Sequence, residues 1–553
     1  MAYVITQRCC NDASCVTECP VDCIRPRPED PGFATAEMLH IDPDTCIDCG
    51  ACVEACPVDA IYADDDLPTR LARYTEINAA YFAHNPLDSA LSPPDSPQRL
   101  PRDLGALRVA IVGTGPAACY AAENLLSRGN VEIEMFDRLP APWGLARYGV
   151  APDHSETRGV TEMFASAFKR DAVRFHLNVE VGKDISHAEL LQHCHAVIYA
   201  VGASAERRLD VPGEDLPGCI SATEFVAWYN GHPDFADHEF DFSGERAVIV
   251  GNGNVALDVA RVLTADPDQL ATTDIADHAI EALRHSNIRE VVLLGRRGLA
   301  DAAFSGPEFL ALGHLPDTDI VIHPVDIDDS VRTALDDPAT DPALRLKLDL
   351  AADYARRDQP GSKRIVFRFL ASPTAVVGTD KVTGIECVRN DLRPGPNGPV
   401  PVPSSEIDTL PASLVLRAIG YRGKPVPDIP FDEAVGVIPN EHGRVIDRSG
   451  TPTPATYVTG WIKRGPRGVI GSNRRDAQET ATALVDDFLS GQLTAPEHDR
   501  EALAALLIDR CPDLVDRDGW TTIDRAEKAA GAAAGRPRVK FTRVAELVES
   551  ARS

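Results

Sequence analysis

Nine of the chain's 14 cysteines fall between Cys9 and Cys56. They form two runs of one spacing. The second reads Cys46-x2-Cys49-x2-Cys52-x3-Cys56-Pro57. The first reads Cys9-x2-Asp12-x2-Cys15-x3-Cys19-Pro20, with Asp12 where the second run has a thiol. Thiols with two residues between them can wrap a tight loop around one face of an iron–sulfur cubane. The proline ends the loop, and a fourth ligand must come from elsewhere. A zinc site would use paired CxxC units to make four ligands around one ion. Two interlocked runs with seven cysteine ligands suit two clusters better. The other five cysteines (Cys119, Cys194, Cys219, Cys387, Cys511) are scattered, so a disulfide scaffold is excluded.

The spacing resembles that of bacterial seven-iron ferredoxins, over residues 1–66. The resemblance implies that the fourth cysteine of each run serves the other cluster. One site then takes Cys46, Cys49, Cys52 and Cys19. The other takes Cys9, Cys15 and Cys56, with Asp12 at its fourth corner. A carboxylate oxygen is a hard ligand, poorly matched to cluster iron. One [4Fe-4S] cluster is therefore expected beside a [3Fe-4S] cluster, or a labile [4Fe-4S] with Asp12 or water at the open iron. Cys10 and Cys23 are left over, and Cys10 is an alternative to Cys9. The segment carries three arginines against 14 Asp and Glu, an acidic balance.

Two glycine turns carry the second kind of chemistry. The apolar run ending Val109-Ala-Ile-Val leads into Gly113-Thr-Gly115-Pro-Ala117-Ala and then a helical pattern. This is a dinucleotide fingerprint: its glycines admit a pyrophosphate close to a helix N-terminus. A second strand ends at Asp137, placed to bond ribose hydroxyls. The pattern recurs at Gly251-Asn252-Gly253-Asn254-Val255-Ala256. Its following strand, Val291–Leu294, ends in Gly295-Arg296-Arg297 rather than in an acid. An arginine pair suits the 2′-phosphate of NADP(H). Two such folds suggest FAD on the first and NADP(H) on the second. Ala200–Ala203 and Ala418–Tyr421 look like the crossings between them.

Longer strings then match a family. They include Trp143–His154, Val211–Gly218, Phe225–Asn230, Gly251–Arg261 and Gly460–Gly471. Residues 107–500 resemble adrenodoxin-reductase-type ferredoxin–NADP reductases, and the whole chain resembles a fusion of a seven-iron ferredoxin to such a reductase. The resemblance implies that Ala117, Asp137, Leu145 and Val181 line FAD, and that Trp461 and the Gly468-Val469-Ile470 turn approach the flavin. Asn252, Asn254, Val255, Arg296, Arg297 and Glu308 would hold NADP(H). His154 would lie near the isoalloxazine as the candidate catalytic residue. The implied activity passes electrons from NADPH through FAD to the chain's own clusters, to an external ferredoxin, or to both. A cytochrome P450 system is a further candidate acceptor. Two other readings compete: a reductase subunit feeding a separate catalytic subunit, and an electron carrier that no longer turns over. The Gly460–Gly471 string argues against the first, and the intact glycine turns with the arginine pair against the second.

The expected architecture is α/β. A ferredoxin domain of α+β type spans 1–66 and a linker 67–106, Pro-rich at Ser92–Pro97 with a helix near Leu71–Phe82. The FAD-binding domain spans 107–213 and 419–553, with the NADP-binding domain, 214–418, inserted in it. At 553 residues the chain has room for these units. Its formal net charge of −29 argues against nucleic acid as a partner. It has no apolar run of about 18 residues to insert in a membrane. The N-terminus lacks a basic region followed by an apolar core, so a cytoplasmic location is expected, as a monomer or weak oligomer.

Overall fold

The structure, a computed structural model, describes residues 2–87, 98–396 and 398–553. The N-terminal cysteine segment folds as two copies of one small unit. Tyr3–Ile5 pairs antiparallel with Ile61–Ala63, and Ile24–Arg25 with His40–Ile41. Short helices Ser14–Glu18 and Ala51–Glu54 follow the two cysteine loops. The loops share a backbone. Asn11 and Asp48, each two residues past the first cysteine, both have φ of 56°, and Ala13 and Gly50 have φ of 64° and 74°. The repeated spacing is thus a repeated conformation.

The connector departs from the expected spacer. Its helix runs Arg73–His84, after a single tight turn at Thr69–Leu71, and it packs onto the cysteine unit. Asn78 is buried on it. Its amide donates to the Ile5 carbonyl at 2.9 Å, and its side-chain oxygen accepts from the backbone N–H of Ile41 at 2.9 Å. Strand edges left open by so small a sheet need such partners. A polar residue on the buried face leaves no apolar periodicity in the sequence, so the helix gave little sign of docking. Ser92–Pro97 lies outside the described residues.

A seven-stranded sheet follows. Its order is Asn440–Glu441, Arg444–Ile446, Pro452–Val458, Ala196–Tyr199, Leu107–Val112, Val131–Asp137, Val173–Leu177. The late strand Pro452–Val458 pairs parallel with Ala196–Tyr199, so one sheet is completed from two distant stretches of chain. Between them lies a six-stranded sheet of parallel pairs, ordered Cys219–Ser221, Leu414–Arg417, Arg246–Val250, Glu290–Leu294, Lys363–Arg368, Thr318–Val321. Its inner strands are almost wholly buried, as parallel strands covered on both faces must be. The chain passes out through Ala205–Glu206 and back through Tyr421–Arg422, and these two segments pair antiparallel as a short ribbon. A three-stranded antiparallel sheet, Ala371–Gly378, Val382–Arg393 and Val400–Pro411, packs beside the inserted unit, an excursion the sequence reading did not anticipate.

Candidate redox site

Each glycine turn lies where its sheet meets a helix. Gly113 has φ of 107°, and a Cβ there would press on the Ala200 carbonyl at 2.5 Å; Gly251, φ 119°, lies in the same way against the Ala418 carbonyl. Only glycine serves at such positions. Helix Pro116–Ser127 starts just after Gly115, and helix Asn254–Thr264 just after Gly253. Their unpaired N–H groups make two anion cradles.

Around the first cradle, Asp137 accepts from the backbone N–H of Thr114 at 3.1 Å and of Leu139 at 3.0 Å. Burial raises its pKa, and these bonds oppose the rise. Ala117 faces Gly460 closely enough that a Cβ on Gly460 would stand 2.5 Å from its own. Leu145 opens helix Leu145–Tyr148 and is partly exposed, and Val181 is buried. Trp461 donates its indole N–H to the Arg467 carbonyl at 3.2 Å and packs on Tyr421, ring centres 5.4 Å apart. The Gly468-Val469-Ile470 turn is pinned by Ser472, which accepts from the Val469 N–H at 3.1 Å, and by Asn473, which donates to the Ile470 carbonyl at 2.8 Å.

Around the second cradle, Asn254 ties the glycine turn to the next helix. Its side-chain oxygen accepts from the Ser305 N–H at 2.8 Å, and Ser305 caps helix Gly306–Leu312, on whose first turn Glu308 stands. Such a cap stabilises a helix by about 1 kcal/mol. Asn252 accepts from the Ala303 N–H at 3.4 Å. The backbones of Arg296 and Arg297 are held by Asn390 and Leu370, while Arg297 Nε is buried with no hydrogen-bond partner among the described residues. An unpaired buried guanidinium nitrogen suits an anionic ligand.

The structure also joins residues that the sequence reading kept apart. His154 Nε2 lies 3.8 Å from Glu308 Oε2. One ligating atom each from His154, Asp258 and Glu308 falls within 4.8 Å of the others. Arg261, buried beneath them, binds Asp258 at 2.8 Å and Asp153 at 3.1 Å, and reaches Glu308 at 3.5 Å. Asp153 and His154 belong to the first nucleotide unit; Asp258, Arg261 and Glu308 belong to the inserted one. Burial raises the Glu308 pKa, against the pull of His154 and Arg261. Asp153, Asp258 and Arg261 were not singled out from sequence. The only available sign was the Asp258–Arg261 spacing of three within the second glycine-turn helix.

The cysteines divide between two faces. Cys19, Cys46, Cys49 and Cys52 line one pocket, together with Cys23, Tyr3 and Ile47. Four of its five thiols suffice for an iron–sulfur cluster, and Cys23 lies 3.5 Å from the Cys19 sulfur. Cys49 is exposed, and Ile47 beside it is 58% exposed. Cys9 and Cys56 accept backbone N–H groups from Leu39 at 3.5 Å and Ala60 at 3.3 Å. Burial pushes the Cys9 thiol up to about 11 and Cys52 up to about 12, as it does other buried thiols of the chain. The Cys9–Cys56 side is turned to the reductase. Arg8 pairs with Glu156 at 2.9 Å, the Gly471 N–H donates to the Cys10 carbonyl at 2.8 Å, and Tyr120 donates to Asp12 at 2.9 Å. Cys10 is buried in the core of the first nucleotide unit, against which Cys9 and Cys56 also pack.

Two dinucleotide cradles joined by a charged junction, with a cysteine-rich unit docked on both, define a nicotinamide- and flavin-dependent oxidoreductase fused to an iron–sulfur domain. Comparison with known proteins agrees. Residues 39–62 match the 4Fe-4S binding domain family, and residues 107–286 the pyridine nucleotide-disulphide oxidoreductase family. The chain is 49% identical to a "Probable ferredoxin/ferredoxin--NADP reductase" of Mycobacterium bovis, over all of this chain and 95% of that one. It is 46% identical to the "NADPH-ferredoxin reductase FprA" of Mycobacterium tuberculosis, over 80% of this chain and 98% of that one. A solved structure of Mycobacterium tuberculosis FprA in complex with NADPH superposes with a TM-score of 0.77 at 44% identity, covering 81% of this chain and 100% of that one. The chain belongs to the ferredoxin/ferredoxin–NADP reductase family. No helix among its described residues is long and apolar enough to cross a membrane.

Proposed function

We propose that this reductase takes electrons from NADPH through FAD into its own ferredoxin domain and on to an external one-electron acceptor, another ferredoxin or a cytochrome P450 system. The bound flavin supplies the conversion between a two-electron hydride donor and one-electron acceptors. The chain's residues do the holding. Gly113, Gly115 and Ala117 cradle the FAD pyrophosphate, Asp137 its ribose, and Leu145, Val181, Trp461 and Gly468–Ile470 the rest of the group. Gly251–Val255 cradle the NADP(H) pyrophosphate, and Arg296 and Arg297 take the 2′-phosphate. His154 is the candidate catalytic residue. With Glu308, Asp258 and Arg261 it closes the junction between the two nucleotide units and gives a proton a place to reside on Glu308.

Cys19, Cys46, Cys49 and Cys52 hold a [4Fe-4S] cluster, and Cys9, Cys15 and Cys56 a [3Fe-4S] cluster. The domain boundaries are those the sequence suggests, with the connector helix added to the ferredoxin unit, and the protein works in the cytoplasm as a monomer or weak oligomer. The observation that carries this reading is the seating of the Cys9–Asp12 loop on Gly471 and Tyr120, beside the first glycine turn's helix. A fused domain so seated meets its donor at high effective concentration. Flavin, iron and sulfide analysis of the aerobically purified chain tests it. One FAD and about seven irons per chain are expected. A preparation without flavin, or with zinc in place of iron, overturns it.

A further inference from the structure

We propose that the reductase unit itself keeps the first cluster site incomplete: Tyr120 and Arg474 capture the Asp12 carboxylate and hold it away from a fourth iron. The inference rests on the seven-iron reading above. Asp12 occupies the place in its loop that Cys49 fills in the other loop, and the two loops share their backbone conformation. By position alone Asp12 should face a cluster corner.

Its two oxygens are engaged elsewhere. Oδ2 accepts from the Tyr120 hydroxyl at 2.9 Å and lies 3.5 Å from the Arg474 guanidinium; Oδ1 accepts from the Ser14 N–H at 3.0 Å and from the Ser14 hydroxyl. Asp12 is 3% exposed, so water offers no exchange for these bonds. Both captors are fixed. Tyr120 is buried on helix Pro116–Ser127, edge-on to Phe164 with ring centres 5.2 Å apart. Arg474 stands in the first turn of helix Ser472–Leu489 and also donates to the Asp12 carbonyl at 2.8 Å. Cys10, the other group near this corner, is packed into the reductase core with its backbone carbonyl taken by Gly471. Neither oxygen of Asp12 is left free to hold a fourth iron.

A [3Fe-4S]⁺ centre that takes up one electron and one Fe²⁺ becomes [4Fe-4S]²⁺, with no sulfide consumed, and the new iron needs a terminal ligand. Tyr120 and Arg474 are positioning residues that act through Asp12.

The test uses the full-length holoprotein, incubated anaerobically with ferrous ion and dithionite, desalted, and read by iron content and by the electron paramagnetic resonance signal of the oxidised three-iron centre. The wild-type chain should stay at about seven irons, while Tyr120→Phe/Arg474→Gln rises to about eight and loses the signal. Adding Asp12→Ala to that pair should cancel the gain. Structural damage alone would lower iron content rather than raise it. The single change Tyr120→Phe, which removes one hydroxyl, should show the same gain more slowly. Variants that stay at about seven irons, that shed the cluster even as Tyr120→Phe, or whose gain survives Asp12→Ala overturn the proposal. About eight tightly held irons in the wild-type chain as purified would instead overturn the seven-iron reading itself.

Discussion

The backbone N–H of Gly471 donates to the carbonyl of Cys10 at 2.8 Å, and a Cβ at Gly471 would run into the Asn11–Asp12 peptide. Gly471 has φ of −68°, so a side chain there brings no backbone strain, only bulk. Gly471→Val therefore probes the seating of the ferredoxin loop cleanly. Overpacking of this kind costs about 1–3 kcal/mol. The equilibrium constant for seating should fall by about tenfold for each 1.4 kcal/mol. Stopped-flow spectra with NADPH should show flavin reduction at the wild-type rate and cluster reduction slowed, by up to that factor. Unchanged cluster reduction would show that electrons enter by another route.

Arg297 offers an unpaired buried Nε beside the exposed Arg296 at the end of strand Glu290–Leu294. Each hydrogen bond to a charged phosphate is worth about 1.5–3 kcal/mol. Replacing either arginine with glutamine should raise KM for NADPH by about 10- to 100-fold. The kinetics with NADH, which has no 2′-phosphate, should barely move. An equal loss with both nucleotides would place the pair elsewhere than at the 2′-phosphate.

Glu308 sits in the charged junction with its pKa raised by burial, although His154 and Arg261 favour its ionised form. The proton stays on this carboxyl to higher pH than on an ordinary glutamate. The pH profile of kcat/KM for NADPH should carry an ionisation above the usual carboxylate range, absent in Glu308→Gln. Superimposable profiles would remove Glu308 from the pH-dependent machinery.

The basic run Arg536-Pro-Arg-Val-Lys540 near the C-terminus works as a strap between the two nucleotide units. Lys540 reaches Asp274 of the inserted unit at 3.0 Å, and Arg536 pairs with Asp277. Asp274 also binds Arg158 of the first unit at 2.5 Å. Burial would raise the Asp274 pKa, but Arg158 and Lys540 prevail and hold it at about 2, below its ordinary 3.8. Its contribution is therefore complete above pH 3.8 and is lost as pH falls towards 2. Breaking a buried pair from one side costs about 3–5 kcal/mol. Asp274→Asn should lower the thermal midpoint at neutral pH, and the gap from wild type should narrow as pH falls through that window. A constant gap would show that the loss came from packing and not from charge.

The parts of this molecule that were legible in the sequence are those whose chemistry is local. A cluster loop needs two or three residues between successive ligands, so Cys9–Pro20 and Cys46–Pro57 declare themselves. Strand, glycine turn and helix are consecutive, so Gly113 and Gly251 do as well. The arginine pair is read from its place at a strand end. What escaped notice is long-range. Tyr120 meets Asp12 across 108 positions, and Arg474 meets Asp12 across 462. Asp153 and Arg261 look like ordinary surface charges until the fold stacks two domains around them. Asn78 interrupts the apolar face of the connector helix and so hid the fact that this helix belongs to the ferredoxin unit.

The proposed function turns on electrons passing from NADPH to the chain's own cysteine-held iron. An anaerobic titration of the purified holoprotein, followed across the flavin band and the broad iron–sulfur absorbance, tests it most directly. NADPH should bleach the flavin at far lower concentration than NADH, and the iron–sulfur absorbance should then fall more slowly in the same sample. A flavin band that NADPH leaves unchanged, or a reduced flavin beside iron–sulfur absorbance that does not fall, would show that electrons do not take this route.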